Sequence, residues 1–260
     1  MTNETQRRVS GASLILGAIA IADGAYLTSA RIATTTPVSG IGTAAHEIVG
    51  ILSIAAVLGV ATSVGSSTPK RALAWSAVVC AAAAGIVAAQ SPMTHIVASL
   101  HAIFSHLFFV TLAATAFLAT PEHPSASVPG PGFLRPLAFT IPAIIVCQIV
   151  LGTLYRHELI GVVPHIGIAM IVAFAALGGA SSVLQNIPKP ASLRRAAGQL
   201  TAAILTQVAL GIATFVMLLL NVSTSPYFIA VATAHVLVGT LALAASIAFA
   251  VEIARHVIHP

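Results

Sequence analysis

Apolar residues run through this chain in eight long stretches, at about 10–32, 41–64, 72–90, 95–119, 134–155, 159–184, 196–220 and 227–251. Each is close to the ~20 residues that an α-helix needs to cross a bilayer core. The breaks between them carry turn chemistry. Thr36-Pro37 and Ser39-Gly40 close the first run, Ser66-Ser67-Thr68-Pro69 the second, and Ser91-Pro92 parts the third from the fourth. The longest connection, Pro121 to Pro131, is rich in Pro, Ser and Gly and reads as a linker. Gly161 and Pro164 blur the start of the sixth run. The pattern predicts an all-α integral membrane protein of eight transmembrane helices, arranged as two pseudo-repeated four-helix bundles. Residues 1–120 form the first half, 121–132 a cytoplasmic linker and 133–260 the second half.

Composition excludes a water-soluble domain. The chain is 58% hydrophobic and 7% charged, whereas a soluble domain carries roughly 25% charged residues. The net charge of +5 is not a nucleic-acid footprint, because the basic residues stand singly or in pairs between apolar runs. They report topology instead. Arg7, Arg8, Lys70, Arg71, Arg135, Lys189, Arg194, Arg195 and Arg255 fall on one side, and only Arg31 and Arg156 on the other. The positive-inside rule then places both termini in the cytoplasm of a multi-pass protein of the cell (inner) membrane. The N-terminus resembles a signal peptide, but its apolar run is too long for an h-region and is expected to stay as the first helix. Cys80 and Cys147 lie inside apolar runs and are expected to be buried thiols rather than a disulfide.

The two halves carry similar segments. Ala98-Ser-Leu-His101-Ala-Ile-Phe parallels Ala232-Thr-Ala-His235-Val-Leu-Val, and Ala84-Gly85-Ile86 parallels Leu210-Gly211-Ile212. Gly24-Ala25-Tyr26-Leu27 resembles Gly152-Thr153-Leu154-Tyr155. The histidines recur with them. His46, His101, His165 and His235 fall one on each even-numbered helix, within roughly the first two turns, so they share one depth near the outer leaflet. An intramembrane histidine is costly to leave unpaired and faces the bundle interior. Imidazole is a strong ligand for iron, and haem iron has two axial positions. The expected pairs are His46 with His101 and His165 with His235, each holding one haem. A lone membrane histidine is more often an interhelical hydrogen-bonding group; four at matched depth argue for ligation. Zinc would need three or four convergent ligands, and no HxxxH or HxxE pair occurs in these helices. His106 lies round the helix from His101, and His95 lies near a loop. His123, His256 and His259 fall in cytoplasmic segments and are expected to have no specific role.

These features together resemble the haem A synthase family of cytochrome oxidase assembly proteins. The likeness is carried by Gln207-Val-Ala-Leu-Gly211-Ile through Ala234-His235 to Glu252-Ile-Ala-Arg255, and by Gln148-Ile-Val-Leu-Gly152-Thr-Leu-Tyr-Arg156-His157. The resemblance implies a haem b on His165 and His235, with substrate haem O on His46 and His101. It implies oxidation of a haem O methyl group to the formyl group of haem A. Haem O synthase and terminal oxidase assembly factors would be partners, besides haem and membrane lipid; no nucleic acid is implied. The chain departs from the family at Thr43, where a glutamate is usual, and at His46-Glu47 and His165-Ile166, where His-Arg is usual. The family's outer-loop cysteine pairs are absent from the sequence.

Asp23 is the acid expected to approach the first haem edge as a catalytic group; pairing with a neighbour such as Arg31 is the alternative. Glu47 adjoins His46 but projects about 100° from it. Arg31 and Arg156 are expected to bind haem propionates or to snorkel to the interface, with His157 assisting Arg156. Two other function classes stay open: a b-type electron carrier without haem-modifying activity, and a haem-free transporter or assembly factor.

Overall fold

A computed structural model describes residues 3–33, 40–63, 68–90, 93–119 and 127–258. They form α1 (Asn3–Ala33), α2 (Gly40–Ser63), α3 (Thr68–Ala88), α4 (His95–Ala119), β1 (Val128–Pro129), α5 (Leu134–Arg156), α6 (Val163–Asn186), α7 (Ala191–Leu219), α8 (Pro226–His256) and β2 (Val257–Ile258). All eight helices are long and apolar enough to span a membrane. The chain is an all-α, eight-span membrane protein.

The helices close into two rings of four. In the first, α1 packs on α2, α2 on α3, α3 on α4 and α4 back on α1; in the second, α5 to α8 repeat the same order. The rings join through α1 on α8, α4 on α8 and α4 on α5. Those four helices, α1, α4, α5 and α8, therefore form the seam between the rings, while α2, α3, α6 and α7 meet the surroundings. Their exposed residues are apolar, among them Ile51, Ile86, Phe174 and Ile212. Such a surface suits lipid, which demands no polar cover.

The core is unequal. A large cluster built on Leu134, Ile141, Leu193, Leu200, Leu243, Phe249 and Ile253 extends to Ile21 of α1 and Phe109 of α4. A smaller one joins Val57, Val60, Ala74, Ala77, Phe108 and Leu112 within the first half.

Several boundaries differ from the hydropathy runs. Helix α6 starts at Val163 rather than near 159, because Glu158 takes a positive φ of 60° and Pro164 occupies the first turn, the position proline favours. Helix α7 starts at Ala191, ahead of its apolar run. Its first turns are polar yet useful: Arg194 Nη1 donates to the carbonyls of Leu184 (2.7 Å) and Ile187 (3.2 Å) at the end of α6, satisfying acceptors that the helix leaves open.

Two expectations are corrected. Cys80 is only half-buried, at the edge of the smaller core, and Cys147 is exposed on its helix, where an apolar thiol facing lipid needs no burial. His256 is not idle: it is buried and its Nε2 lies 3.4 Å from Glu252 Oε2, one helical turn back. The expected linker lies partly outside the described residues, as do His123 and His259. Its described part is ordered into a parallel two-residue bridge, Val128 opposite Val257 and Pro129 opposite Ile258.

Candidate functional site

Odd helices end, and even helices begin, at one end of the bundle. The four informative histidines all lie there, and the structure brings them together in the two expected pairs. The ring centroids of His46 and His101 are 6.0 Å apart with planes at 75°. Those of His165 and His235 are 6.3 Å apart with planes at 79°. The likeness of the two geometries follows from the repeated ring of helices. Each pair joins the second and fourth members of a ring, across its interior.

Small residues on the odd helices make room for the rings. A Cβ on Gly24 would lie 3.0 Å from His46 Cε1, on Gly152 2.8 Å from His165 Cε1, and on Gly211 3.1 Å from His235 Cε1. At Gly152 only glycine admits so close an approach, and at Gly24 and Gly211 a Cβ would push the ring by a few tenths of an ångström. Gly85 stands apart, with nothing near its missing side chain. There the neighbouring Ala84 carbonyl accepts from His101 Nδ1 at 2.9 Å.

Each remaining histidine meets a polar side chain of the preceding helix. Asp23 Oδ2 lies 3.4 Å from His46 Nδ1, and neither atom has a hydrogen-bond partner. Asp23 thus faces the histidine and not Arg31, which is exposed in the last turn of α1. Gln148 Nε2 lies 3.0 Å from His165 Nδ1 and 3.2 Å from its Nε2. Gln207 Nε2 lies 3.3 Å from His235 Nε2. The Oε1 atoms of both glutamines and His235 Nδ1 are buried without a partner. Thr43 turns its hydroxyl onto its own helix, donating to the Gly40 carbonyl at 2.9 Å. Glu47 is exposed on α2.

Arg156 reaches from α5 to α1. Its Nη2 donates to the Ala25 carbonyl and to Ser29 Oγ, both at 2.6 Å, and so ties the two halves at the histidine end. A second tie lies beside it, where His95 Nδ1 donates to the His157 carbonyl at 2.6 Å and faces Glu158 at 3.9 Å. His157 is pushed down to about 4, first by burial, then by the positive Arg156 and by His95 and His101; it is neutral at neutral pH. His106 belongs to neither pair. Its Nδ1 donates to the Ala102 carbonyl at 2.8 Å, and it lines a small apolar cavity with Leu107, Val146, Ile149 and Leu243.

Among the described residues no three His, Cys, Asp or Glu side chains converge on a metal position. Each pair brings two imidazoles together, so a metal held between them would need its other donors from a ligand of its own. The spacing suits this use. Two metal–nitrogen bonds of about 2 Å, with roughly 1 Å more from each nitrogen to its ring centre, add to about 6 Å.

The sequence reading missed Gln148, Gln207, Ser29 and the Ala84 carbonyl. One signal was present: Gln148-x-x-x-Gly152 and Gln207-x-x-x-Gly211 repeat a glutamine one turn before a glycine, on the same face of the helix. Compared with known proteins, the chain matches no protein-family model and no curated protein.

Proposed function

We propose that this chain is a haem-binding membrane protein of the haem A synthase type. Its second half would hold a resident haem b between His165 and His235. Its first half would take haem O between His46 and His101 and oxidise a methyl group to the formyl group of haem A. The observation that carries the reading is the recurrence of one histidine geometry, 6.0 Å in one half and 6.3 Å in the other. A haem fits this donor set, because its porphyrin fills the iron's four equatorial positions and leaves two axial ones for imidazole.

Bound haem supplies a one-electron centre; the chain's residues hold and surround it. The glycine notches at 24, 152 and 211 set the histidine rings. Arg31 and Arg156, at the same end, would be the cations available to propionates, Arg156 beside its contacts with Ala25 and Ser29. The asymmetric spread of Lys and Arg supports placing this end outside and both termini in the cytoplasm of the cell membrane.

Asp23 distinguishes the first half as the reactive one. Turning a methyl into a formyl group with oxygen from water releases four protons and four electrons. A carboxylate beside His46 can accept protons, while the electrons pass to an acceptor of the membrane quinone class. The family's usual glutamate position is Thr43, bonded to its own helix. Asp23, arriving from α1, supplies an acid beside the second-helix histidine instead.

A reduced-minus-oxidised spectrum of the purified full chain, with the extracted haem identified by mass, tests the reading. Haem b together with haem O or haem A is the expected result. Haem b alone would replace the synthase reading with that of a b-type electron carrier. A protein without haem, after expression with ample haem supply, would overturn both.

A further inference from the structure

A histidine that ligates iron through one ring nitrogen carries its proton on the other. That N–H needs an acceptor, and the acceptor fixes the ring and sets how strongly it donates to the metal. The four histidines draw their partners from one source, the preceding odd helix. Asp23 on α1 faces His46, the Ala84 carbonyl on α3 accepts from His101, Gln148 on α5 faces His165 and Gln207 on α7 faces His235.

The glutamines present their Nε2 to unligated rings, and both Oε1 atoms are buried with no partner. Half a turn of the carboxamide exchanges donor for acceptor, and the two ends are assigned only by their hydrogen-bond network. Room for this is kept at Gly239, where a Cβ would lie 3.0 Å from Gln207 Nε2. The first half has no counterpart. One turn before Gly24 and Gly85 stand Ala20 and Ala81.

We propose that Asp23, Gln148 and Gln207 are positioning residues that make the two haem sites electronically unequal, with the first-half haem at the lower reduction potential. The inference rests on the haem reading above. A carboxylate acceptor draws the ring proton away and makes His46 a stronger donor, which favours ferric iron. A neutral carboxamide does this far less. Electrons from the first half then run downhill to the second, the direction that oxidation of a substrate in the first half requires.

The test is a potentiometric titration of the full chain in detergent, loaded with iron protoporphyrin IX. Two waves are expected, and His101→Ala removes the lower one. Asp23→Asn shifts the lower wave to more positive potential and leaves the upper in place. Gln207→Glu is the reciprocal change and shifts the upper wave to more negative potential, so the idea is tested even where one variant fails to fold. Two bound haems with waves that neither substitution moves would overturn this inference alone. A wild-type chain that binds no haem would overturn it together with the reading beneath it.

Discussion

A Cβ placed on Gly152 would lie 2.8 Å from Cε1 and 3.1 Å from Nδ1 of His165. Real Cβ atoms do not approach so closely, and the imidazole, held by Gln148 at 3.0 Å, has little freedom to withdraw. Alanine is favoured over glycine in a helix by up to about 1 kcal/mol, whereas overpacking costs about 1–3 kcal/mol. The clash therefore wins. Gly152→Ala is expected to lower the melting temperature in detergent and to remove haem from the second site. Gly85→Ala, with open space around it, should keep full haem content and gain slightly in stability. Equal haem content in the two variants would show that the glycine notch does not set the ring.

Arg156 joins the halves at a point where few other polar contacts cross. Ser29 Oγ accepts from Arg156 and donates to the Ala25 carbonyl at 2.8 Å, so the three groups form one small network. Hydrogen bonds to charged groups contribute about 1.5–3 kcal/mol, although those measured within membranes average nearer 0.6 kcal/mol. Arg156→Ala is expected to cost about 1–3 kcal/mol, and Ser29→Ala about 1 kcal/mol or less. Thermal unfolding in detergent reads both. Equal melting temperatures for wild type and Arg156→Ala would show that the packing of α1 on α8 and of α4 on α8 and α5, with the His95–His157 tie, holds the halves without it.

Hydropathy alone located all eight helices, because an apolar run of ~20 residues satisfies its backbone in a bilayer by forming a helix. It misjudged helix ends where a helix outlasts its apolar run. Helix α8 continues through Glu252, Arg255 and His256, which pair with one another. The histidine pairs were legible because four rings recur at one depth on alternate helices. Their surroundings were not. A glycine notch is a relation between two helices, and so is the turn of Asp23 toward His46 rather than Arg31. The Ala84 carbonyl is legible in no side-chain pattern at all.

His157 gives the histidine end a pH response. Its pKa falls from the usual 6.5 to about 4, through burial and then the neighbouring charge of Arg156, with His95 and His101 adding to it. The folded state thus disfavours the charged ring, and the unfolded chain binds the proton more readily. Stability linked to this group is complete above pH 6.5 and is lost as pH falls toward about 4. The melting temperature of the wild type should decline across that window. His157→Gln, which removes the proton site and keeps a polar side chain, should flatten the decline. A variant whose profile superimposes on the wild type would assign the acid response to other groups.

The opposite end of the molecule offers a control. Val257 is 1% exposed and belongs to the large core, and the Gly130 amide donates to the Ile258 carbonyl at 3.2 Å. Val257 and Ile258 thereby clasp the described part of the linker to the end of α8. Burial of a valine contributes about 1.5–3 kcal/mol, so deleting residues 257–260 is expected to destabilise the protein by roughly 2 kcal/mol. His235 lies 22 residues back along the same helix, roughly 33 Å away at 1.5 Å per residue. The truncated chain should therefore retain its haem stoichiometry and spectrum while melting earlier. Loss of haem in step with stability would mean that the clasp and the histidine pair are coupled along α8, and that the second half behaves as one cooperative unit from end to end.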